Sequence, residues 1–311
     1  MKFGVIGNDQ IVLKCIDILR KTKDAEIVFV LYDIARVSPM NPIGAFCDLH
    51  SIPYTAINKL NSTETYEFIK TRIPDYILSI NNFFVIKNDI LSIPTKGTVN
   101  FHNSVPSRYH GLNIPSWVII NGEETHGAMW HFVENTIDTG DVIVFDSFPV
   151  TKTETAASLM VKCIKKGIEL FPDLINQLLE NTITRTPQIR DASYYGKKDL
   201  PDNKGYIDFK QSGKEIDQLV RGLNYLPFNN SYLYAKIRYK EKELVINSVE
   251  VETTKKLTIS GRITAIGAET IQIECKDSII NITDAMDDTY EEYEGKKIAD
   301  YLGVKLHDII L

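Results

Sequence analysis

MKFGVIGNDQIVLKCIDILRKTKDAEIVFVL, residues 1–31, decides the fold class. Lys2–Ile6 is a short apolar run that stops at Gly7, as a buried strand does. Ile11–Leu19 places apolar residues at helical spacing, and Glu26–Leu31 is a second strand rich in Val, Ile and Phe. The alternation continues outward. Ile43–His50 reads as a helix, Tyr54–Ile57 as a strand, Thr63–Lys70 as a helix, and Tyr76–Ile80 and Gly97–Phe101 as strands. Strands separated by helices imply βαβ units with right-handed crossovers, so the class is α/β with a parallel sheet. Gly4 and Gly7 do not make G-x-G-x-x-G, and no acidic residue stands in the right relation to them to hold a ribose. We read them as close packing at the first strand–helix turn, which argues against a nicotinamide enzyme.

Glu154–Leu179 predicts a long helix with Ala156, Leu159, Met160, Cys163 and Ile164 on one face. Thr182–Lys204 is polar, with Pro187 and Pro201, and reads as a linker. The pattern then changes. After a helix at Lys214–Leu223 come β-rich runs at Tyr232–Tyr239, Glu243–Val251, Ile259–Ile266, Thr270–Cys275 and Ser278–Thr283, the pattern of a small antiparallel domain or barrel. Asp284–Glu294 reads as a solvated acidic loop. We therefore expect a first domain over 1–182, a linker over 183–206 and a β-rich domain over 207–311.

The 311 residues carry a net charge of −6, which gives no whole-molecule basic field for nucleic acid. No apolar run approaches the ~20 residues of a membrane span, and the first nine residues are too short in charge and apolar length for a signal peptide. Cys15, Cys47, Cys163 and Cys275 are scattered, without a C-x-x-C pair. A disulfide framework or metal ribbon is not expected, and a reducing cytoplasm is.

The chemistry concentrates in Asn100–Asp141, NFHNSVPSRYHGLNIPSWVIINGEETHGAMWHFVENTIDTGD. Asn100 and His102 lie two apart where a strand ends, so they share one face. In an open parallel sheet that end faces the ligand crevice. Asn brings an amide donor and acceptor, and His a group that titrates near neutrality; the pair is unusual for an apolar core. Asp138, in the turn-forming Asp138-Thr139-Gly140-Asp141, follows the strand-like Met129–Val133. Folded back, it can orient His102.

This stretch resembles the folate-dependent N-formyltransferase family. The family pattern runs Asn-x-His-x-Ser, Pro, an Arg/Tyr-rich turn with Gly, a helix ending in Asn-Gly, then Asp-Thr-Gly-Asp. Here it is matched by Asn100-Phe-His102-Asn-Ser104, Pro106, Arg108-Tyr109-His110-Gly111, Asn121-Gly122 and Asp138–Asp141. The likeness covers about the first 180 residues, and the two-domain plan resembles methionyl-tRNA and aminoarabinose formyltransferases. It implies a Rossmann-like catalytic domain, 10-formyltetrahydrofolate as co-substrate and no metal. It implies that Asn100, His102 and Asp138 are catalytic: an oxyanion donor, a general base and the residue that orients it. It places the folate on two loops, Asn82, Phe83, Phe84, Val85 and Ile86, and Glu134, Asn135, Thr136, Ile137 and Asp138. Many members have Arg-Gly where this chain has His110-Gly111, and Arg or Ala where it has Leu112. Those positions line the acceptor side in relatives, which leaves the acceptor open.

Three acceptors compete. Methionyl-tRNA formyltransferases carry a basic insertion after the second strand; here Leu31–Asn58 has Arg36 as its one Lys or Arg. Residues 207–311 carry 14 Lys and Arg against 18 Asp and Glu. Both weigh against tRNA. A nucleotide-linked amino sugar needs a pyrophosphate grip and a stacking platform, for which Arg108, Tyr109, Arg221 and Tyr225 are candidates. Arg221–Tyr234 resembles a stretch found in sugar formyltransferases and in the tRNA enzymes alike. A carrier-bound aminoacyl group is the third acceptor class, and an inactive folate-binding homologue is the non-enzyme alternative. We expect an enzyme acting on an amino-sugar nucleotide, as a monomer or a homodimer.

Overall fold

The computed structural model describes residues 1–36, 40–189, 192–228, 230, 232–254 and 259–310. Two compact units emerge. The first comprises Met1–Gly111, His126–Phe148 and Lys162–Tyr194; the second comprises Leu112–Thr125, Pro149–Val161 and Tyr195–Leu311. They interleave along the chain, where the strand and helix pattern suggested sequential blocks.

The first unit begins β1 (Lys2–Gly7), α1 (Asp9–Lys21), β2 (Glu26–Asp33), α2 (Pro42–Leu49), β3 (Tyr54–Ile57), α3 (Thr63–Lys70), β4 (Tyr76–Ile80), α4 (Asn88–Leu91) and β5 (Gly97–His102). Along the chain then follow β6 (Tyr109–Gly111), α5 (Ile114–Ile120), which belongs to the second unit, β7 (Thr125–Phe132), β8 (Val142–Pro149), α6 (Ala156–Glu180), whose first turns also belong to the second unit, and β9 (Ser193–Tyr195). One seven-stranded sheet runs β3-β2-β1-β4-β5-β7-β8. β1 to β5 pair in parallel, as expected. β7 joins β5 antiparallel, so the sheet is mixed. The chain starts mid-sheet, winds to β3, then returns past β1 to β4 and β5. That reversal is the switch point at which open α/β sheets bind ligands. Gly7 is required by packing: a Cβ there would stand 1.8 Å from the Ile80 carbonyl oxygen on β4. The close-packing reading of the first turn holds.

Apolar side chains fill both faces of this sheet. Phe3, Val5, Ile6, Phe29, Leu31, Ile77 and Leu78 are fully buried. Under β5 and β7, Trp130 packs on Phe101 and Phe171, and its Nε1–H donates to the Gly167 carbonyl at 3.0 Å. These contacts anchor the two strands that carry the site to α6.

The second unit contains α7 (Gly213–Leu223), β10 (Lys236–Tyr239), β11 (Lys242–Thr253), β12 (Ile263–Ile266), β13 (Ile271–Glu274), β14 (Ser278–Met286), β15 (Glu292–Tyr293) and α8 (Gly295–Leu302). Among the described residues, its sheet is an open antiparallel β10-β11-β14-β13-β12, with β15 on β14. α7 starts with a capping box between Ser212 and Glu215, which satisfies two otherwise unpaired amides.

Several local expectations are corrected. The strand expected from Tyr232 starts at Lys236, because the Asn230 side chain bends the preceding chain. Its Oδ1 accepts from the Tyr232 and Leu233 amides, and its Nδ2 donates to the Leu223 and Leu233 carbonyls. The acidic Asp284–Glu294 is only partly loop: it ends β14, and the Asp287 carboxylate holds Thr289, Glu291 and Tyr293. The linker is laced into structure, since Thr186 and Val142 exchange both backbone hydrogen bonds at 2.9 and 2.8 Å and β9 pairs with β6. Within Arg221–Tyr234, residues 229 and 231 lie outside the described residues. No helix is long and apolar enough to cross a membrane among the described residues.

Candidate active site

β5 delivers Asn100 and His102 to its carboxyl end. Its antiparallel partner sets His131 opposite Asn100 and Met129 opposite His102. The turn after β7 then returns Asp138 to the same place. Asp138 adopts a left-handed backbone, φ 56°. Gly140 allows the turn to fold tightly, since a Cβ there would lie 2.0 Å from the Phe132 carbonyl oxygen.

The side chains converge on Asp138. One carboxylate oxygen accepts from the Gly111 amide at 2.9 Å and stands 3.7 Å from His102 Nε2; the other lies 3.6 Å from His131 Nε2. Burial works to raise this carboxyl. The charges of His102 and His131 and the hydrogen bond from the Gly111 amide outweigh it, so Asp138 is held well below the usual carboxylate range.

The hydrogen bonds assign the ring protons. A carbonyl only accepts, so His102 Nε2–H donates to the Tyr109 carbonyl at 2.9 Å. That leaves Nδ1 as the nitrogen of His102 that can take a proton. Similarly, His131 Nδ1–H donates to the Phe132 carbonyl at 2.8 Å, and its Nε2 accepts from the Asn100 amide at 3.2 Å. One N–H of Asn100 is thereby held and its plane fixed, with the second N–H directed elsewhere.

His131 was not among the candidates from sequence. Its side chain is buried and links Asn100 to Asp138. Two further buried histidines surround the group. Burial pushes His110 below its ordinary value, against the opposing pull of Asp138. Burial, with His102 nearby, pushes His126 down to about 3. The Nε2 atoms of His110 and His126 are buried without a hydrogen-bond partner.

The loops expected to hold folate are reached differently by each residue. Asn82 braces its own loop: Oδ1 accepts from the Phe84 amide at 3.0 Å, and Nδ2 donates to the Phe84 carbonyl at 2.9 Å. Phe84 and Ile86 pack into the core beneath, while Phe83 and Val85 are exposed. The Arg36 guanidinium lies 3.5 Å over the Phe83 ring. Glu134, Asn135, Thr136 and Ile137 are exposed. Of the acceptor candidates, Arg108 is exposed and Tyr109 is buried, its carbonyl given to His102. Arg221 and Tyr225 belong to the second unit. Arg221 grips Asp217 through two nitrogens and donates to the Glu154 carbonyl at 2.8 Å, and the Tyr225 hydroxyl pairs with Ser116 at 3.0 Å. These contacts tie up the Arg221 fork that was expected to grip a pyrophosphate. Among the described residues, no cluster of His, Cys, Asp and Glu is arranged to hold a metal.

Comparison with known proteins matches this architecture. Residues 3–175 match the formyl transferase family model, and residues 199–300 match the formyl transferase C-terminal domain. The methionyl-tRNA formyltransferase of Clostridium tetani is 28% identical over 285 residues, covering 90% of each chain. The GDP-perosamine N-formyltransferase of Brucella melitensis is 34% identical over 188 residues, 58% of this chain and 71% of that one. The fold is that of an N-formyltransferase from Helicobacter canadensis solved with folinic acid and dTDP-3-aminofucose, with TM-score 0.69, 21% identity, and coverage of 91% of this chain and 99% of that one.

Proposed function

The chain belongs to the formyl transferase family, and from that premise we propose that it moves a formyl group from 10-formyltetrahydrofolate to the free amine of a nucleotide-linked amino sugar. The observation that carries the transfer chemistry is the partly buried Asp138 carboxylate, set between His102 and His131 beside Asn100. When bound, the folate supplies an activated formyl group. The exposed Phe83, Val85 and Ile137 suit the flat ring of such a group. The residues do the rest. His102 Nδ1 takes the proton of the attacking amine as the new C–N bond forms, and returns it to the folate nitrogen as the old bond breaks. The Asp138 carboxylate, 3.7 Å away, stabilises the imidazolium between those events. The second N–H of Asn100 donates to the charge that builds on the formyl oxygen; one such donor is worth about 3 kcal/mol.

The acceptor is inferred from electrostatics. A net charge of −6, with Arg36 as the one Lys or Arg in Leu31–Asn58, weighs against a surface built to grip many tRNA phosphates. A sugar nucleotide presents two phosphates, a charge that one or two arginine forks suffice to hold. The GDP-perosamine enzyme of Brucella supports this reading. The 28% identity with the C. tetani enzyme over 90% of both chains supports initiator methionyl-tRNA as the second reading. A panel of amino-sugar nucleotides, each scored for the mass gain of one formyl group, tests the choice. Both acceptors then compete at equal concentration and near-physiological salt. Formyl on methionyl-tRNA with none on any sugar nucleotide would reverse it.

A further inference from the structure

We propose that Gln188 is a positioning residue of the transfer site: its side-chain amide clamps the turn carrying Asp138 to the loop that follows β5, and so sets where the carboxylate meets His102. The proposal rests on the function inferred above. Gln188 lies in the segment that the sequence marks as linker, 50 residues beyond Asp138. Its Nε2 spends one N–H on the Asp138 carbonyl at 2.9 Å and the other on the Gly140 carbonyl at 2.8 Å. Its Oε1 accepts from the Ser107 amide at 3.1 Å. The Ser107 hydroxyl in return accepts from the Ile189 amide at 2.7 Å.

Two of the residues it grips have left-handed backbones. Asp138 has φ 56° and Ser107 has φ 62°, left-handed conformations that residues with a Cβ seldom adopt. Such conformations persist only where the surroundings impose them. The distances at stake are sensitive. The carboxylate stands 3.7 Å from His102 and 3.6 Å from His131, beyond a good hydrogen bond, so neither ring fixes it and a small rotation of the turn changes both contacts. The amide of Gly111, which donates to the same carboxylate, reports on that rotation directly.

The test uses the full chain and the variants Gln188→Met and Gln188→Glu. Methionine fills the space without hydrogen bonds. Glutamate keeps the acceptor for Ser107 and loses both donors to the turn. We expect both to speed hydrogen exchange at the Gly111 amide by about tenfold or more, with amides of β1 and β4 unchanged. Both should lower kcat for acceptor-free hydrolysis of 10-formyltetrahydrofolate by roughly 10–100-fold, with KM for the folate within about threefold. Unchanged Gly111 exchange overturns the proposal. So does a glutamate variant as active as wild type, which would reduce Gln188 to a brace for the Ser107 loop, or a loss confined to KM, which would make it a folate contact. If the methionine variant does not fold, Gln188→Asn, too short to span the contacts, takes its place. A wild-type chain that consumes no folate would sink the functional reading, while Gly111 exchange would still decide the clamp.

Discussion

One N–H of Asn100 is held by His131, and that makes the remaining N–H a directed donor rather than a rotating one. We expect Asn100→Ala and His102→Ala each to reduce formyl transfer by about 10²–10⁴-fold while the protein stays folded. Near-normal turnover in either would remove the assigned roles. His131→Ala should lower kcat by roughly tenfold or more and leave KM for the folate nearly unchanged, since it frees the Asn100 amide without touching the donor. A rise in KM alone would place His131 on the folate instead. Asp138 gives a pH-dependent signature. Its carboxyl is held below its unfolded value, so its support for the fold is complete above about pH 4 and fades as pH falls further. The stability lost in Asp138→Asn, measured by urea unfolding, should therefore shrink below pH 4. A difference that stays flat from pH 7 to pH 3 would mean the carboxylate is not held charged. Asn100, His102 and Asp138 were legible because their types are odd for a strand end and a turn. His131 was not, because Ala128-Met129-Trp130-His131-Phe132 reads as an ordinary core strand. Only its antiparallel register opposite Asn100 reveals the contact, and no single strand carries that information.

β7 holds one histidine at each end of the buried stretch that packs on β5, and the two serve opposite purposes. His131 is hydrogen-bonded through both nitrogens, while His126 Nε2 is buried without a partner. With His126 pushed down to about 3, the unfolded chain binds a proton there that the folded chain refuses. Stability should fall as pH drops from about 6.5 towards 3, by up to about 1.4 kcal/mol per pH unit from this residue. His126→Gln should flatten that fall in a pH series of unfolding curves; an unaltered slope would show that the ring charges freely. The parallel β1 to β5 frame was legible in the strand and helix periods because each βαβ crossover leaves its own apolar pattern. β8 was missed: Val142–Pro149, at the edge of the sheet, has three consecutive exposed residues, Phe145, Asp146 and Ser147, which break the buried-strand pattern. The linker was misjudged for a related reason. Its polarity signals exposure, yet its hydrogen bonds run from Thr186 and Gln188 to residues some 40–50 positions earlier, a distance no local window spans.

Charge is the property of the whole chain that separates the two acceptors, and it predicts how each would respond to salt. A protein that neutralises six to ten tRNA phosphates loses about 10³–10⁵ in affinity between 50 and 200 mM salt. This chain has the composition to avoid that regime: 35 Lys and Arg against 41 Asp and Glu overall, and 14 against 18 over residues 207–311. His110 sharpens the contrast. At a position where the family often carries a permanently charged arginine, burial holds this imidazole below its ordinary value, so it is neutral at physiological pH. An acceptor with two phosphates needs only one or two forked arginine contacts, whose strength falls gently with ionic strength. We therefore expect kcat/KM for the true acceptor to drop by less than about tenfold between 50 and 200 mM salt. The measurement is formyl incorporation at subsaturating acceptor across that range, with folate held saturating so that donor binding does not contribute. His110→Arg should steepen the dependence, because it adds a fixed cation beside the site. A wild-type loss of a hundredfold or more would mean that the acceptor is held by many phosphates at once, and would promote tRNA over the sugar nucleotide.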